Sequence, residues 1–420
     1  MGNSESSDAD SHFISASRRF TKKELEDLHA LFVSLAAQSQ SNAQYIIPSV
    51  FQAFFGIHGP LGERIFDLVT QERNDQKLTF EDLVIAKASY EKGTRDEIDN
   101  FIYQILDING DGLVNRSDLE AALLSMHGTI FSSKCLKDGC NSYLNIVEVL
   151  LNAATFSVEV RGSEHTMSFN EFRNWCNLLP SVRKFLGGLL TGNSGRLGSP
   201  VPRQLYPEDL SSVLIMKEQY AWVIGGALTQ QELEEWKLLY HSSVDGLSFN
   251  TFLGNIMLGN GPTILLVKDK AGYIYGGYAS QPWDRHSEFY GDMKSFLFTL
   301  YPRPSIFRPS GLNTNLQWCA WNFSSENVPN GIGFGGRVNH FGLFLSASFD
   351  SGHSFQCSTF NSPCLSLETQ IVPETIECWG VIVKDIQQLG KLEPVKGNVL
   401  QRFKEDRHML NMVGLANSSE

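Results

Sequence analysis

Apolar residues change their spacing part-way along this chain. In the first half the spacing is helical: Leu25, Leu28, Phe32 and Leu35 make one stripe, and Ile98, Phe101, Ile102, Ile105 and Leu106 make another. Each stripe follows a Thr-x-x-Glu capping box, Thr21 with Glu24 and Thr94 with Glu97. From Pro262 onward the spacing is that of strands. Pro262–Ser280 reads as two strands joined by a turn at Asp269–Gly272, and strand-like runs follow at Ser295–Leu300, Gln317–Phe323, Phe341–Phe349 and Ile376–Val383. Helices first and strands afterwards predict an α+β chain with segregated parts, not a repeating βαβ sheet. Gly187–Pro207, rich in Gly, Ser and Pro and without periodicity, reads as the linker between them. After it, two more helices are expected, one around Asp209–Ile224 and one opened by the Thr229–Glu232 box and carrying Leu233, Trp236, Leu239 and Tyr240.

The length of 420 residues suits two or three domains of about 150 residues each. A composition of 42% hydrophobic and 19% charged residues excludes a collagen, a coiled-coil rod and a largely disordered chain. The net charge of -12 argues against a nucleic-acid partner, which needs a basic face to displace counterions. Residues 1–190 hold 17 lysines and arginines against 25 aspartates and glutamates, so the helical half suits cations better than anions. The seven cysteines are dispersed, with no C-x-x-C pair. They read as small buried hydrophobes and not as a zinc site or a disulfide framework. No run of about 18 apolar residues is present to span a bilayer.

Directly after the Thr94 helix comes Asp107-Ile-Asn-Gly-Asp-Gly-Leu-Val-Asn-Arg-Ser-Asp118, and then the apolar-periodic Leu119, Leu123 and Met126. This is the pattern of an EF-hand loop between its two helices. Asp107, Asn109 and Asp111 supply side-chain oxygens at the first, third and fifth places. Gly112 makes the turn at the sixth, the Leu113 carbonyl serves the seventh, and Asn115 serves the ninth directly or through water. Val114 stands where an apolar residue pairs with a partner loop. The twelfth place holds Asp118 instead of glutamate. One methylene shorter, it predicts weaker calcium binding and better tolerance of magnesium. Lys77–Leu83 and Thr166–Phe172 both resemble the back half of such a loop. Counting backwards, the first would need Gln71 and Arg73 as ligands and the second Val160 and Gly162, and neither has glycine at the sixth place. Both are expected to be metal-free and kept for packing.

The amino terminus reads MGNSESSD, and Gly2 with Ser6 fits the pattern for N-myristoylation. One acyl chain anchors only marginally, and Arg18, Arg19, Lys22 and Lys23 are a weak second signal beside Glu5, Asp8 and Asp10. Reversible docking is the expectation.

In the C-terminal half, Leu238–Ser243, Gly246–Phe252, Gly261-Pro-Thr, Lys268-Asp, Tyr275-Gly-Gly-Tyr-Ala-Ser280 and Gly291-Asp make a dense pattern with Phe296-Leu-Phe, Pro329–Gly336, Phe341-Gly-Leu and Glu377-Cys-Trp-Gly380. The pattern resembles the TLDc domain, the module of the oxidation-resistance proteins, over roughly residues 207–385. An acylated, EF-hand-like first half narrows the resemblance to the branch of MTOR-associated, lysosome-located TLDc proteins. The expected plan is a flexible acylated leader over 1–20, a helical EF-hand-like domain over 21–186, the linker 187–207, an antiparallel β-sandwich with a few helices over 208–385, and a tail over 386–420.

The resemblance implies an interaction protein that binds the vacuolar-type proton-pumping ATPase from the cytosolic face of lysosomal or vacuolar membranes, as a monomer. Its cofactor is expected to be Ca2+, with Mg2+ tolerated. The alternative is an oxidative-stress protection factor with a direct thiol or an enzymatic antioxidant activity. Gly331-x-Gly333-x-x-Gly336 satisfies a dinucleotide fingerprint literally, but a strand-like run follows where a helix N-terminus is needed, so the glycines are assigned to a tight turn between sheets. No motif for catalysis is found, and the chain is not expected to be an enzyme. In the tail, Val399, Leu400, Phe403, Leu410 and Val413 fall near one helical face. That helix either docks back on the chain or enters a groove on the partner.

Overall fold

The computed structural model describes residues 5–39, 44–71, 73, 75–131, 141–160, 164–189, 201–257, 261–325 and 327–383. Gly2 and the tail residues Val399, Leu400, Phe403, Leu410 and Val413 lie outside the described residues. The architecture is mixed α+β, with helices in the N-terminal part and sheets in the C-terminal part. It divides into two compact units, Met1–Cys176 with Val182–Leu197 and Asn177–Ser181 with Gly198–Glu420.

The first unit is made of α1 (Glu5–Ser17), α2 (Lys22–Gln38), α3 (Pro48–Phe55), α4 (Pro60–Val69), α5 (Phe80–Glu91) and α6 (Arg95–Leu106), followed by β1 (Val114–Asn115), α7 (Arg116–Phe131), α8 (Asn141–Asn152), β2 (Val158–Val160), β3 (Glu164–Met167), α9 (Phe169–Leu178) and α10 (Pro180–Gly188). The capping boxes start the helices as expected. In each box a threonine hydroxyl accepts the backbone N–H three residues on, and the Glu24 or Glu97 carboxylate reaches back to the threonine N–H. Thr79 with Asp82 makes a third box and opens α5. The apolar faces meet in a core where Phe51, Ile65, Phe66, Ile102, Ile105 and Phe172 are almost wholly buried. The Phe51 and Phe66 rings meet edge to face at 5.5 Å.

Two short antiparallel contacts tie consecutive helix–loop–helix segments together. Ile46 and Leu78 exchange backbone hydrogen bonds of 2.9 and 3.0 Å. Val114 pairs with Met167 and Asn115 with Thr166, within a three-stranded sheet of order β1-β3-β2. The segment expected to be a flexible leader is helical over Glu5–Ser17. Phe13 sets its ring edge against Phe80 at 6.3 Å, and Ala16 is buried. Its serines and aspartates compete for the backbone and mask a helix that packing recovers.

The second unit contains β4 (Arg203–Leu205), α11 (Glu218–Gly225), β5 (Glu235–His241), α12 (Ser242–Asp245) and α13 (Phe249–Met257), then β6 (Thr263–Asp269), β7 (Ile274–Ala279), β8 (Phe296–Tyr301), β9 (Ser305–Phe307), β10 (Gln317–Ala320), β11 (Gly331–Arg337), β12 (His340–Ser346), β13 (Gly352–His353), β14 (Gln370–Ile371) and β15 (Pro373–Ile382). A seven-stranded sheet runs β4-β5-β15-β6-β7-β8-β9, and a five-stranded sheet runs β10-β11-β12-β13-β14. Leu265, Val267, Tyr275 and Leu297 from one sheet share a core with Ile332, Phe334, Leu343 and Leu345 from the other. This is the sandwich expected from the strand spacing, with one correction to its antiparallel order. β4 joins β5 in parallel, so Arg203–Leu205, read as linker, is an edge strand.

Two further expectations are corrected. Only half of the Thr229–Glu232 box forms: the Thr229 N–H and hydroxyl both donate to the Glu232 carboxylate, at 2.8 and 2.7 Å, while the Glu232 N–H donates to the Thr229 backbone carbonyl, and only a short 3-10 turn over Gln231–Leu233 follows. Trp236 and Tyr240 then lie on a strand, because pairing with β15 on one side outweighs the helical signal of the box. Likewise Gly331, Gly333 and Gly336 lie on β11 and make no turn between sheets. A Cβ on Gly331 would come 2.1 Å from the Leu345 carbonyl oxygen and 2.8 Å from the Phe344 ring. The three glycines leave room for the backbone of β12, whose Leu345, Leu343 and His340 carbonyl oxygens would be the first atoms met, and at Gly331 and Gly333 for phenylalanine rings of β12 as well. The Tyr275-Gly-Gly-Tyr motif has the same cause: a Cβ on Gly277 would meet the Phe334 ring of the opposite sheet at 2.7 Å.

Candidate functional site

The segment 107–118 joins α6 to β1 and α7. Gly110 and Gly112 take φ of +74° and +85°, the left-handed turns that reverse the chain, and the turned backbone points several N–H groups at side-chain oxygens. Asp107 Oδ1 accepts from the N–H groups of Gly110 and Asp111 at 3.0 and 3.1 Å, and its Oδ2 accepts from Gly112 at 3.0 Å. The Asn109 carbonyl oxygen accepts from Asp111 N–H at 2.9 Å, and Asp111 Oδ1 accepts from Leu113 N–H at 2.8 Å. At the far end Asn115 and Asp118 cap one another: Asp118 N–H donates to Asn115 at 2.9 Å, and Asn115 N–H donates to Asp118 Oδ2 at 3.2 Å. Asp107, Asn115 and Asp118 are buried, while Asn109, Asp111 and Leu113 are exposed. The loop therefore presents one wet side and one dry side.

Burial pushes the Asp118 carboxyl above the usual carboxylate range, and the charges of Asp107 and Asp111 add to that rise. Neighbouring anions that disfavour one another are what a dication would relieve. The donor set is hard oxygen throughout, three carboxylates with two amides, and fits Ca2+ or Mg2+ and not a soft metal. Among the described residues no three His, Cys, Asp or Glu side chains are drawn together closely enough to hold a metal ion. The loop oxygens are instead engaged by the loop's own N–H groups. One contact has no counterpart in the sequence reading: Arg64, on α4, places Nη2 3.2 Å from Asp107 Oδ2. It stands 43 residues before Asp107 on another helix, so no local pattern reveals it.

The two segments read as back halves of loops occupy equivalent places. Thr166 and Met167 pair directly with the loop strand β1, and Leu78 pairs with Ile46. In the second unit Glu377 is fully buried. It accepts hydrogen bonds from the Ile215 and Met216 N–H groups and from Trp379 Nε1, and lies 3.5 Å from His241 Nε2. Burial raises its carboxyl group. With backbone donors filling it and the carboxylate fully buried, Glu377 fastens residues 215–216 to the sheet. The thiols of Cys176, Cys319 and Cys378 are all pushed up by burial, that of Cys378 to about 12, so they stay protonated and unreactive at neutral pH.

Residues 210–382 match the TLDc domain family model. The strands carrying the Tyr275, Phe296 and Glu377 motifs all fall inside that match. The chain is similar to MTOR-associated protein MEAK7 of Danio rerio, 32% identical over 252 residues, covering 57% of this chain and 54% of that protein. Its likeness to the human protein of the same name is 30% over 258 residues, covering 59% and 55%. It is also 31% identical to nuclear receptor coactivator 7 of Homo sapiens over 144 residues, 34% of this chain and 14% of that one. The chain thus spans about half the length of the MEAK7 proteins it matches. The first name states an association with MTOR, the second coactivation of nuclear receptors.

Proposed function

We propose that this chain is a regulatory interaction protein in which the TLDc region docks on the vacuolar-type proton-pumping ATPase and the helical unit tunes that docking with calcium. The observation that carries the reading is the TLDc match over 210–382, joined in one chain to a turn-and-cap loop lined by oxygen donors. In this reading 107–118 is an EF-hand loop. Asp107, Asn109, Asp111, the Leu113 carbonyl, Asn115 and Asp118 would hold Ca2+, with Mg2+ as a weaker substitute. A myristoyl group on Gly2 would give reversible attachment to the cytosolic face of lysosomal or vacuolar membranes. Leu400 and its neighbours Val399, Phe403, Leu410 and Val413 would add a second contact on the pump.

Affinity purification of the full chain from membranes, with calcium and with chelator, tests this. Pump subunits should co-elute in amounts that depend on calcium, and recovery of none under either condition would sink the reading. The thiol-based antioxidant alternative finds no support in Cys176, Cys319 and Cys378, which are deeply buried. Replacing all seven cysteines is expected to leave pump recovery unchanged.

A further inference from the structure

The first aspartate of the loop already has a cation beside it. Arg64 Nη2 lies 3.2 Å from Asp107 Oδ2, and the two side chains are only 8% and 6% exposed. Arg64 Nε donates to the Gln104 carbonyl oxygen at 3.2 Å, so the guanidinium is held on the end of α6 where that helix enters the loop. Its Nη1 lies 3.1 Å from where a Cβ on Gly110 would stand. Three loop N–H groups and this guanidinium together fill the acceptor positions of the Asp107 carboxylate. The N–H bonds shape the loop. The guanidinium brings charge, and charge is what an entering ion duplicates.

We propose that Arg64 is a resident counter-cation of the 107–118 loop, pairing with Asp107 until a divalent ion takes its place. The proposal rests on the reading of that loop as a cation site. A buried carboxylate left without a partner is costly, so the arginine keeps the ion-free loop folded. The same residue opposes the ion, because a dication and a guanidinium on one carboxylate repel each other in a poorly screened place. Since Arg64 belongs to α4 and is anchored on α6, its release changes the junction of these helices. Ion entry is thereby linked to helix packing outside the loop.

The test is calorimetric titration of the full chain with CaCl2, for the wild type, Arg64→Gln and Arg64→Lys. Removing the charge should tighten calcium binding about tenfold, and lysine, shorter but charged, should fall between. In parallel, the 15N-detected Nε resonance of Arg64 should shift as wild-type protein is saturated with calcium. Equal affinities in wild type and a folded Arg64→Gln, or a resonance that does not move through saturation, would overturn the role of Arg64 while leaving the loop reading intact. Absence of calcium binding in all three proteins would overturn both. If Arg64→Gln melts well below the wild type, Arg64→Lys and the resonance decide the matter.

Discussion

Two loops of the helical unit solve one electrostatic problem with different arginines. In 71–82, aligned on the same twelve places as 107–118, Arg73 stands third, Asp75 fifth and Asp82 twelfth. Arg73 donates to both oxygens of Asp82, at 2.8 and 2.5 Å, and its Nε lies 3.8 Å from Asp75. That fork raises the basicity of Arg73 first through the Asp82 hydrogen bonds, so the guanidinium stays charged. In 107–118 the third place is Asn109 and the twelfth Asp118, and the arginine comes from another helix onto the first place. In 71–82 the arginine belongs to the loop itself and bridges its third and twelfth places, whereas in 107–118 it comes from α4; on the proposed reading only the second could give way to an entering ion without a change in the loop's own residues.

The largest effect should come from removing the oxygen donors. Asp107→Ala with Asp111→Ala is expected to abolish divalent binding by the full chain in a calorimetric titration, since two of the loop's three carboxylates disappear together. Undiminished binding in that variant would place the ion elsewhere and dissolve the contrast between the loops. Next in size is Arg73→Met. Asp82 keeps its Thr79 partner but loses its counter-charge while 3% exposed, so the melting temperature should fall by the equivalent of about 2 kcal/mol. This is set below the cost of a wholly buried pair because Arg73 is 39% exposed. The variant should gain no calcium binding, and a gain would show that Arg73 alone keeps ions out.

Asp118→Glu sharpens the comparison from the other side. The added methylene lets the carboxylate close on an ion with both oxygens, and calcium affinity should rise about tenfold while magnesium affinity changes little. No change would mean that Asp118, fastened to Asn115 at 2.9 and 3.2 Å, serves as a helix cap and does not reach the ion.

What could be read in advance follows the range of each interaction. Capping boxes, helical stripes and strand runs act over a few residues, and Thr21, Thr94 and the β6–β7 hairpin fall where the pattern puts them. The oxygen-bearing residues of 107–118 are equally local, and counting along the chain alone puts Arg73 at the third place of 71–82. The β11 glycines failed as a turn because their cause lies across the sheet, in Phe344 and Leu345 of β12. Trp236 and Tyr240 failed as helix because β15, more than 130 residues downstream, claims them. Arg64 was invisible for the same reason: it reaches Asp107 through the packing of α4 on α6, and nothing in its own neighbourhood marks it.

The smallest effect concerns the sixth place. Gly112 takes φ +85° in 107–118, and Gln76 takes φ +55° at the same place in 71–82. At this one place the backbone is left-handed in both loops, although only one has the residue that turns without cost; at the first place they differ, with φ +55° at Gln71 and -76° at Asp107. For a non-glycine residue the left-handed region costs about 1 kcal/mol, from the approach of Cβ to the following carbonyl oxygen. Glycine removes that strain but gives back roughly half of it through its greater freedom in the unfolded chain. Gln76→Gly should therefore raise stability by about 0.5 kcal/mol, read as a small upward shift in the denaturant midpoint with an unchanged slope. Calcium binding should stay where it was, because Arg73 still spans the third and twelfth places. If the variant is destabilised, the turn at Gln76 is held by its side chain, and the two loops share this one turn for different reasons. A new calcium site in Gln76→Gly would instead mean that the turn residue, not the resident arginine, is what separates them.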